Sequence, residues 1–169
     1  MIPEPDDDLL RRIFRRTRSI ALVGASPDPS RPSHYVGQYL RQRGYRVIPV
    51  NPGLAGSTMF GETVRAAVAE CPPDTDMLDI FRRSEHAPQI IAEALDRLPR
   101  LRTVWMQIGV TSPQGRALAE ARGCDVIENR CPKIEYHRLF GVTDLAGIGD
   151  ASSLQRPNGD GRRRQEHKS

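Results

Sequence analysis

No apolar run in this chain of 169 residues approaches the ~20 needed to cross a membrane as a helix. The opening MIPEPDDDLL is acidic and has no apolar core of the kind a secretory signal carries. A soluble, cytoplasmic protein with no membrane partner is therefore expected. Cysteine is scarce: Cys71, Cys124 and Cys131 form no CxxC pair and have no histidine in metal-ligand register. That excludes a zinc ribbon and, with an odd count, argues against a disulfide framework. Concentrated positive charge is lacking too, despite a net charge of +4 and a pI near 9.3. Residues 1–18 hold 5 Arg against 4 acids, and residues 150–169 hold 4 Arg and 1 Lys against 3 acids. The tails thus supply +3 and residues 19–149 only +1. A nearly neutral central region does not provide the footprint of a duplex-binding surface, so no specific nucleic-acid partner is expected.

What is present is an alternation. After an amphipathic lead-in over 7–16, SIALVG (19–24), YRVIPV (45–50), DMLDIF (76–81), RTVWMQIG (102–109) and CDVIEN (124–129) read as strands. Between them lie amphipathic stretches: 34–43 closed by Gly44, a short helix over 62–69, one capped by Ser84 and running to 98, and one opened by Ser112-Pro113. A minor strand is expected at TMFG, and a final turn or helix over 132–139. Apolar strands alternating with helices imply an α/β fold, a Rossmann-like doubly wound parallel sheet of about five strands in one domain. The expected organisation is a helical lead-in over 1–18, the domain over 19–140 and a disordered tail over 141–169. The expected order of the five main strands is 3-2-1-4-5, with the ligand crevice beyond their carboxyl ends.

That rule selects five loops. The first, in LVGASPDPSRPSHY, holds one glycine where a dinucleotide fingerprint needs three. It still leads into a helix N-terminus, where backbone amides favour phosphate; Gly24, Ala25, Ser26, Arg31, Pro32 and Ser33 are the candidate contacts, with Ser30 a further hydroxyl. The plain alternative is an ordinary strand-to-helix connection. At the end of the second strand, Asn51 and Pro52 stand where NAD sites put a ribose-binding carboxylate. Asparagine and arginine suit a ribose that carries an extra phosphate, as in NADP or coenzyme A; a simple turn is the alternative. Phe81, Arg82 and Arg83 open the third loop, and Arg82 reaches phosphate or pairs with Asp79 or Asp28. Gln107 and Gly109 end the fourth strand, with Trp105 read as core. Cys131 follows the fifth, with Arg130 and Lys133 close enough in sequence to favour a thiolate.

Five strings, IALVGASPDPSRPSHYV, GYRVIPVNP, DIFRRSE, VWMQIGV and ENRCPKIEYHRL, together resemble the small bacterial CoA-binding proteins. Their domain is similar to the CoA-binding domain of succinyl-CoA synthetase alpha chains. The resemblance spans about residues 19–139. It implies a stand-alone nucleotide-binding module for coenzyme A. Gly24 to Ser33 would hold phosphate, Asn51 and Pro52 would border adenosine, Phe81, Arg82 and Arg83 would line the crevice, and Gln107 and Gly109 would flank the pantetheine path. The chain is too short for the further domains of a synthetase. A non-catalytic binder of CoA or an acyl-CoA, a carrier or sensor with a possible protein partner or second copy, is the leading expectation. The rivals are an acyl- or thiol-transfer enzyme using Cys131 and an NADP-binding regulator or oxidoreductase. For the ribose 3′-phosphate, Arg31, Arg46 and Arg82 all remain open.

Overall fold

The computed structural model describes residues 2 and 4–141, so the tail expected over 141–169 lies, but for Gly141, outside the described residues. Five parallel strands form the central sheet: β1 (Ser19–Val23), β2 (Arg46–Val50), β5 (Met77–Ile80), β6 (Thr103–Met106) and β7 (Asp125–Ile127). Two short strands, β3 (Thr58–Met59) and β4 (Glu62–Thr63), make a separate antiparallel pair. The five helices are α1 (Asp7–Arg16), α2 (Pro32–Gln42), α3 (Ala87–Arg97), α4 (Pro113–Ala121) and α5 (Pro132–Phe140).

Near-continuous apolar strands need cover on both faces, and both are covered. One face carries the row Ile48, Ala21, Leu78, Val104 and Val126 under α3 and α4. The opposite face carries Leu22, Trp105 and Ile127 under α1, α2 and α5. The lead-in helix is packed into this second layer. Leu10, Ile13 and Phe14 are buried, Phe14 meets Trp105, Tyr136 and Phe140, and Tyr45 donates its hydroxyl to the Phe14 carbonyl at 2.6 Å.

The strand order is β2-β1-β5-β6-β7, which in terms of the five main strands is 2-1-3-4-5 and not the expected 3-2-1-4-5. The cause lies in residues 51–76. The helix expected over 62–69 does not form. Val64 and Val68 have helical spacing but bury in opposite layers of the molecule, which a single helix face cannot do. The chain there makes β4, a one-residue parallel bridge from Arg65 to Val50, and a 3₁₀ turn at Val68–Glu70. The position outside β2 is reduced to that bridge, and β5 pairs directly with β1. The sheet therefore reverses its winding between β1 and β5, and the crevice opens there.

Smaller differences have local causes. α2 begins at Pro32, two residues before the expected start, since proline's fixed φ suits the first helical turn. Ser84 does not cap α3: a 3₁₀ turn at Ser84–His86 precedes it, and the Ser84 hydroxyl bonds elsewhere. Ser112 and Pro113 do open α4, with the Ser112 hydroxyl accepting the Gly115 amide at 2.8 Å.

Candidate functional site

All five strands point the same way, so their following loops share one rim. Polar side chains at the strand ends tie those loops to one another. Asn51 donates its amide to the Ala25 carbonyl at 2.8 Å and accepts the Gly53 amide at 2.9 Å. The Gly24 and Ala25 amides both reach the Val50 carbonyl. Ser84 accepts the Thr111 amide at 2.9 Å, joining the loops after β5 and β6. Asn129, held at φ +60°, accepts the Gly109 amide at 2.7 Å and joins the loops after β6 and β7. Asparagine tolerates that left-handed backbone better than most residues.

Gly24 is the tightest of these crossings. Its φ is +96°, and a Cβ there would stand 2.9 Å from the Phe81 carbonyl oxygen and 3.3 Å from Arg82 Cδ. Only glycine lets the first loop cross the end of β5 at the switch point. Phe81 packs, partly buried, against the second core layer.

The first loop is pre-organised from within. Asp28 accepts both the amide and the hydroxyl of Ser30, at 3.0 and 2.8 Å. Those bonds hold its carboxyl below the usual carboxylate range. Ser26 accepts the Asp28 amide at 3.1 Å, and its carbonyl lies 2.9 Å from His34 Nδ1. The loop thus offers fewer open amides than the sequence suggested. Those of Gly24, Ala25, Asp28, Ser30 and Arg31 have partners, and Pro27, Pro29 and Pro32 have none to give. The Ser26 and Ser33 amides remain, beside a helix start that no side chain caps. Ser33 is buried and Arg31 exposed.

Several arginines are tied to carboxylates, and two on the rim are not. Arg16, Arg46, Arg65, Arg116, Arg130 and Arg138 each sit within 4 Å of a carboxylate. Arg46 leaves the list of phosphate candidates: it starts β2, at the opposite end of the strand from the rim, and makes two bonds to Glu62. Arg31 and half-buried Arg82 have no ion-pair partner among the described residues; Arg82 pairs with neither Asp79 nor Asp28. Arg83 is exposed and 3.9 Å from Glu85. Exposed Pro52 opens a 3₁₀ turn over Pro52–Leu54 beside Asn51.

Gln107, at the end of β6, is 8% exposed and its Oε1 is buried without a partner. Gly109, exposed at φ +89°, follows, with open space where a Cβ would be. Asp79 enters the sequence analysis only as an alternative partner for Arg82, with its burial missed. It lies between Leu22 and Trp105 on the central strand, 0% exposed, and neither carboxyl oxygen has a hydrogen-bond partner. Burial alone pushes its proton affinity well above the ordinary carboxylate range. Nothing in the sequence marks it beyond an acid inside an apolar run.

Cys131 is 5% exposed and forms the N-cap of α5. The two cations expected to activate it are engaged elsewhere. Arg130 pairs with Glu4 and Glu135, and Lys133 lies over the rings of Tyr35 and Tyr39, at 5.2 and 5.5 Å. Trp105 is core, as expected, with its indole N–H on the Arg130 carbonyl at 2.8 Å.

Comparison with known proteins agrees with this fold. A Thermus thermophilus protein of known structure is 38% identical, with a TM-score of 0.76 over 80% of this chain and 100% of its own. Prb, the PH1109 protein redesigned for binding, is 32% identical with a TM-score of 0.78, covering 84% of this chain and 97% of its own. The uncharacterized protein YneT of Bacillus subtilis strain 168 is 30% identical over 132 residues, 78% of this chain and 95% of that one. Residues 18–137, spanning all five strands of the sheet and most of α5, match the CoA binding domain, and the chain belongs to that family.

Proposed function

We propose that this chain binds coenzyme A or an acyl-CoA across the rim, as a stand-alone module without chemistry of its own. The observation that carries the reading is that Arg31 and Arg82, on the loops after β1 and β5, have no ion-pair partner among the described residues, at a switch point where Gly24 lets those two loops cross closely. Coenzyme A carries a pyrophosphate and a ribose 3′-phosphate. The pyrophosphate suits the open start of α2, where the Ser26 and Ser33 amides and the Gly24–Ser33 loop await an anion. Asn51 is fixed by its bonds to Ala25 and Gly53, so it shapes the adenosine border and Pro52 supplies an apolar face. Phe81, Arg82 and Arg83 line the crevice, and Gln107 and Gly109 flank the pantetheine, whose amide N–H groups are natural donors for the orphaned Gln107 oxygen. Family membership supports the ligand class.

A catalytic role for Cys131 has little support, because Arg130 and Lys133 have other partners. An NADP site would share the phosphates but not the pantetheine groups.

Calorimetry with CoA, dephospho-CoA, NADP and NAD tests the reading. CoA is expected to bind tightest, and Arg31→Ala to weaken CoA more than dephospho-CoA if Arg31 answers the 3′-phosphate. Equal losses would remove Arg31 from that role, and tighter binding of either nicotinamide nucleotide would overturn the proposal.

A further inference from the structure

Beyond the pantetheine path the rim continues into a cleft of about 330 Å³, lined by Ile108, Asn129, Arg130, Cys131, Ile134 and Glu135, with Ile2, Glu4 and Glu128 completing it. Ile108 lies between Gln107 and Gly109 and is 55% exposed; Ile134, in the first turn of α5, is 54% exposed. Isolated surface isoleucines are common. Here two of the four large exposed hydrophobics among the described residues border one cleft from different elements. Each would gain by being covered.

The charged part of the wall is already paired. Glu128, almost fully buried, accepts the Ser112 amide at 2.8 Å and Arg116 Nε at 2.9 Å. Arg130 is held by Glu4 and Glu135, and Glu135 also by Arg138 at 2.7 Å. Three glutamates line the cleft against one arginine. Arg116 and Arg138 balance two of those glutamates from behind the wall, so a ligand carboxylate entering the cleft would find no unpaired cation among the described residues to receive it. A short uncharged hydrocarbon would meet Ile108, Ile134 and the Cys131 side.

We propose that the cleft receives the acyl group of a CoA thioester, and that the preferred ligand is a short, uncharged acyl-CoA rather than free CoA or a dicarboxylic ester such as succinyl-CoA. This rests on the proposed CoA site, because the cleft adjoins Gln107 and Gly109 at the far end of that path. No bond is made or broken; the acyl chain adds apolar contact to a ligand already held by its phosphates.

Calorimetry on the full chain with CoA, butyryl-CoA and succinyl-CoA tests it. Butyryl-CoA is expected to bind roughly tenfold tighter than CoA, less than full burial of its methylenes would give because the cleft is open. Succinyl-CoA is expected to show no such gain. Ile134→Ser, at an exposed position, should shrink the butyryl-to-CoA ratio toward one, and Ile134→Trp, which fills the cleft, should push it below one. Equal binding of CoA and butyryl-CoA by the unaltered chain, or a ratio unmoved by both variants, overturns the acyl cleft and leaves the CoA site standing. Failure of CoA and both its thioesters to bind overturns the CoA site itself.

Discussion

Asp79 is the residue at which the fold and ordinary stability most openly conflict. A carboxyl with two orphaned oxygens in the middle of an apolar row is a cost, and such costs gather near functional sites. Because burial raises its proton affinity, the folded chain holds that proton more tightly than the unfolded one. Its contribution is therefore full below the unfolded carboxyl range, near pH ~4, and is lost as pH rises toward the folded value. Asp79→Asn should raise the thermal midpoint at pH 8, and the gain should shrink as pH falls toward 4. A constant difference across that range would show that the carboxyl does not titrate with folding. The cysteines give a second test at this scale. Burial pushes the Cys71 thiol up to about 12 and the Cys124 thiol upward as well, and Cys131 is buried too. The native chain should resist a thiol reagent that labels all three once urea unfolds it; rapid native labelling of Cys131 alone would revive the thiol-transfer reading.

Among the elements, α2 is the most tightly placed. A Cβ on Gly37 would come within 2.4 Å of Phe60 Cζ and 2.8 Å of Cε2, so the helix can lie against the β3–β4 turn only without a side chain there. The obstacle is a ring held at a residue with φ +57°, which has little freedom to retreat. Gly37→Ala should cost about 1–3 kcal/mol of unfolding free energy, against the stabilisation the same change gives in an open helix. A stabilised variant would mean that the β3–β4 turn yields easily. The five main strands were legible because each is a short apolar run buried on both sides. Residues 62–69 were not, because the spacing of Val64, Ala67 and Val68 is helical while Val64 and Val68 enter opposite faces of the sheet. Spacing reports a repeat and not the layer each residue enters. The candidate rim was legible in the same measure. The strand-end rule located Gly24, Asn51, Arg82 and Gln107, but the ties made by Ser84 and Asn129 join residues 20 to 27 positions apart. Those contacts exist only after the strands have been ordered.

At the scale of the whole molecule, the charge pattern separates two uses of arginine. A large part of the positive charge among the described residues is held in pairs, such as the Arg16–Asp125 bond at 2.8 Å and the Arg116–Glu128 bond at 2.9 Å. The rim keeps Arg31 and Arg82 apart from that network. Ligand affinity should therefore fall with added salt, while the melting temperature changes little over the same range, because partly buried pairs are screened less than an open anion site. Arg116→Met would leave Glu128 buried beside the Ser112 amide alone, and should cost about 3 kcal/mol of stability, read by urea unfolding. A loss below ~1 kcal/mol would mean that water reaches Glu128 freely.

The pairing of Asp7 with Arg138, at 2.9 and 3.2 Å, brings the first turn of α1 beside the last turn of α5. The first and last of the described helices are neighbours, so the connectivity of residues 7–140 is separable from their shape. A circularly permuted gene that joins those ends by a short linker and opens the chain at exposed Gly123, in the turn between α4 and β7, would encode the same sheet with every rim loop intact.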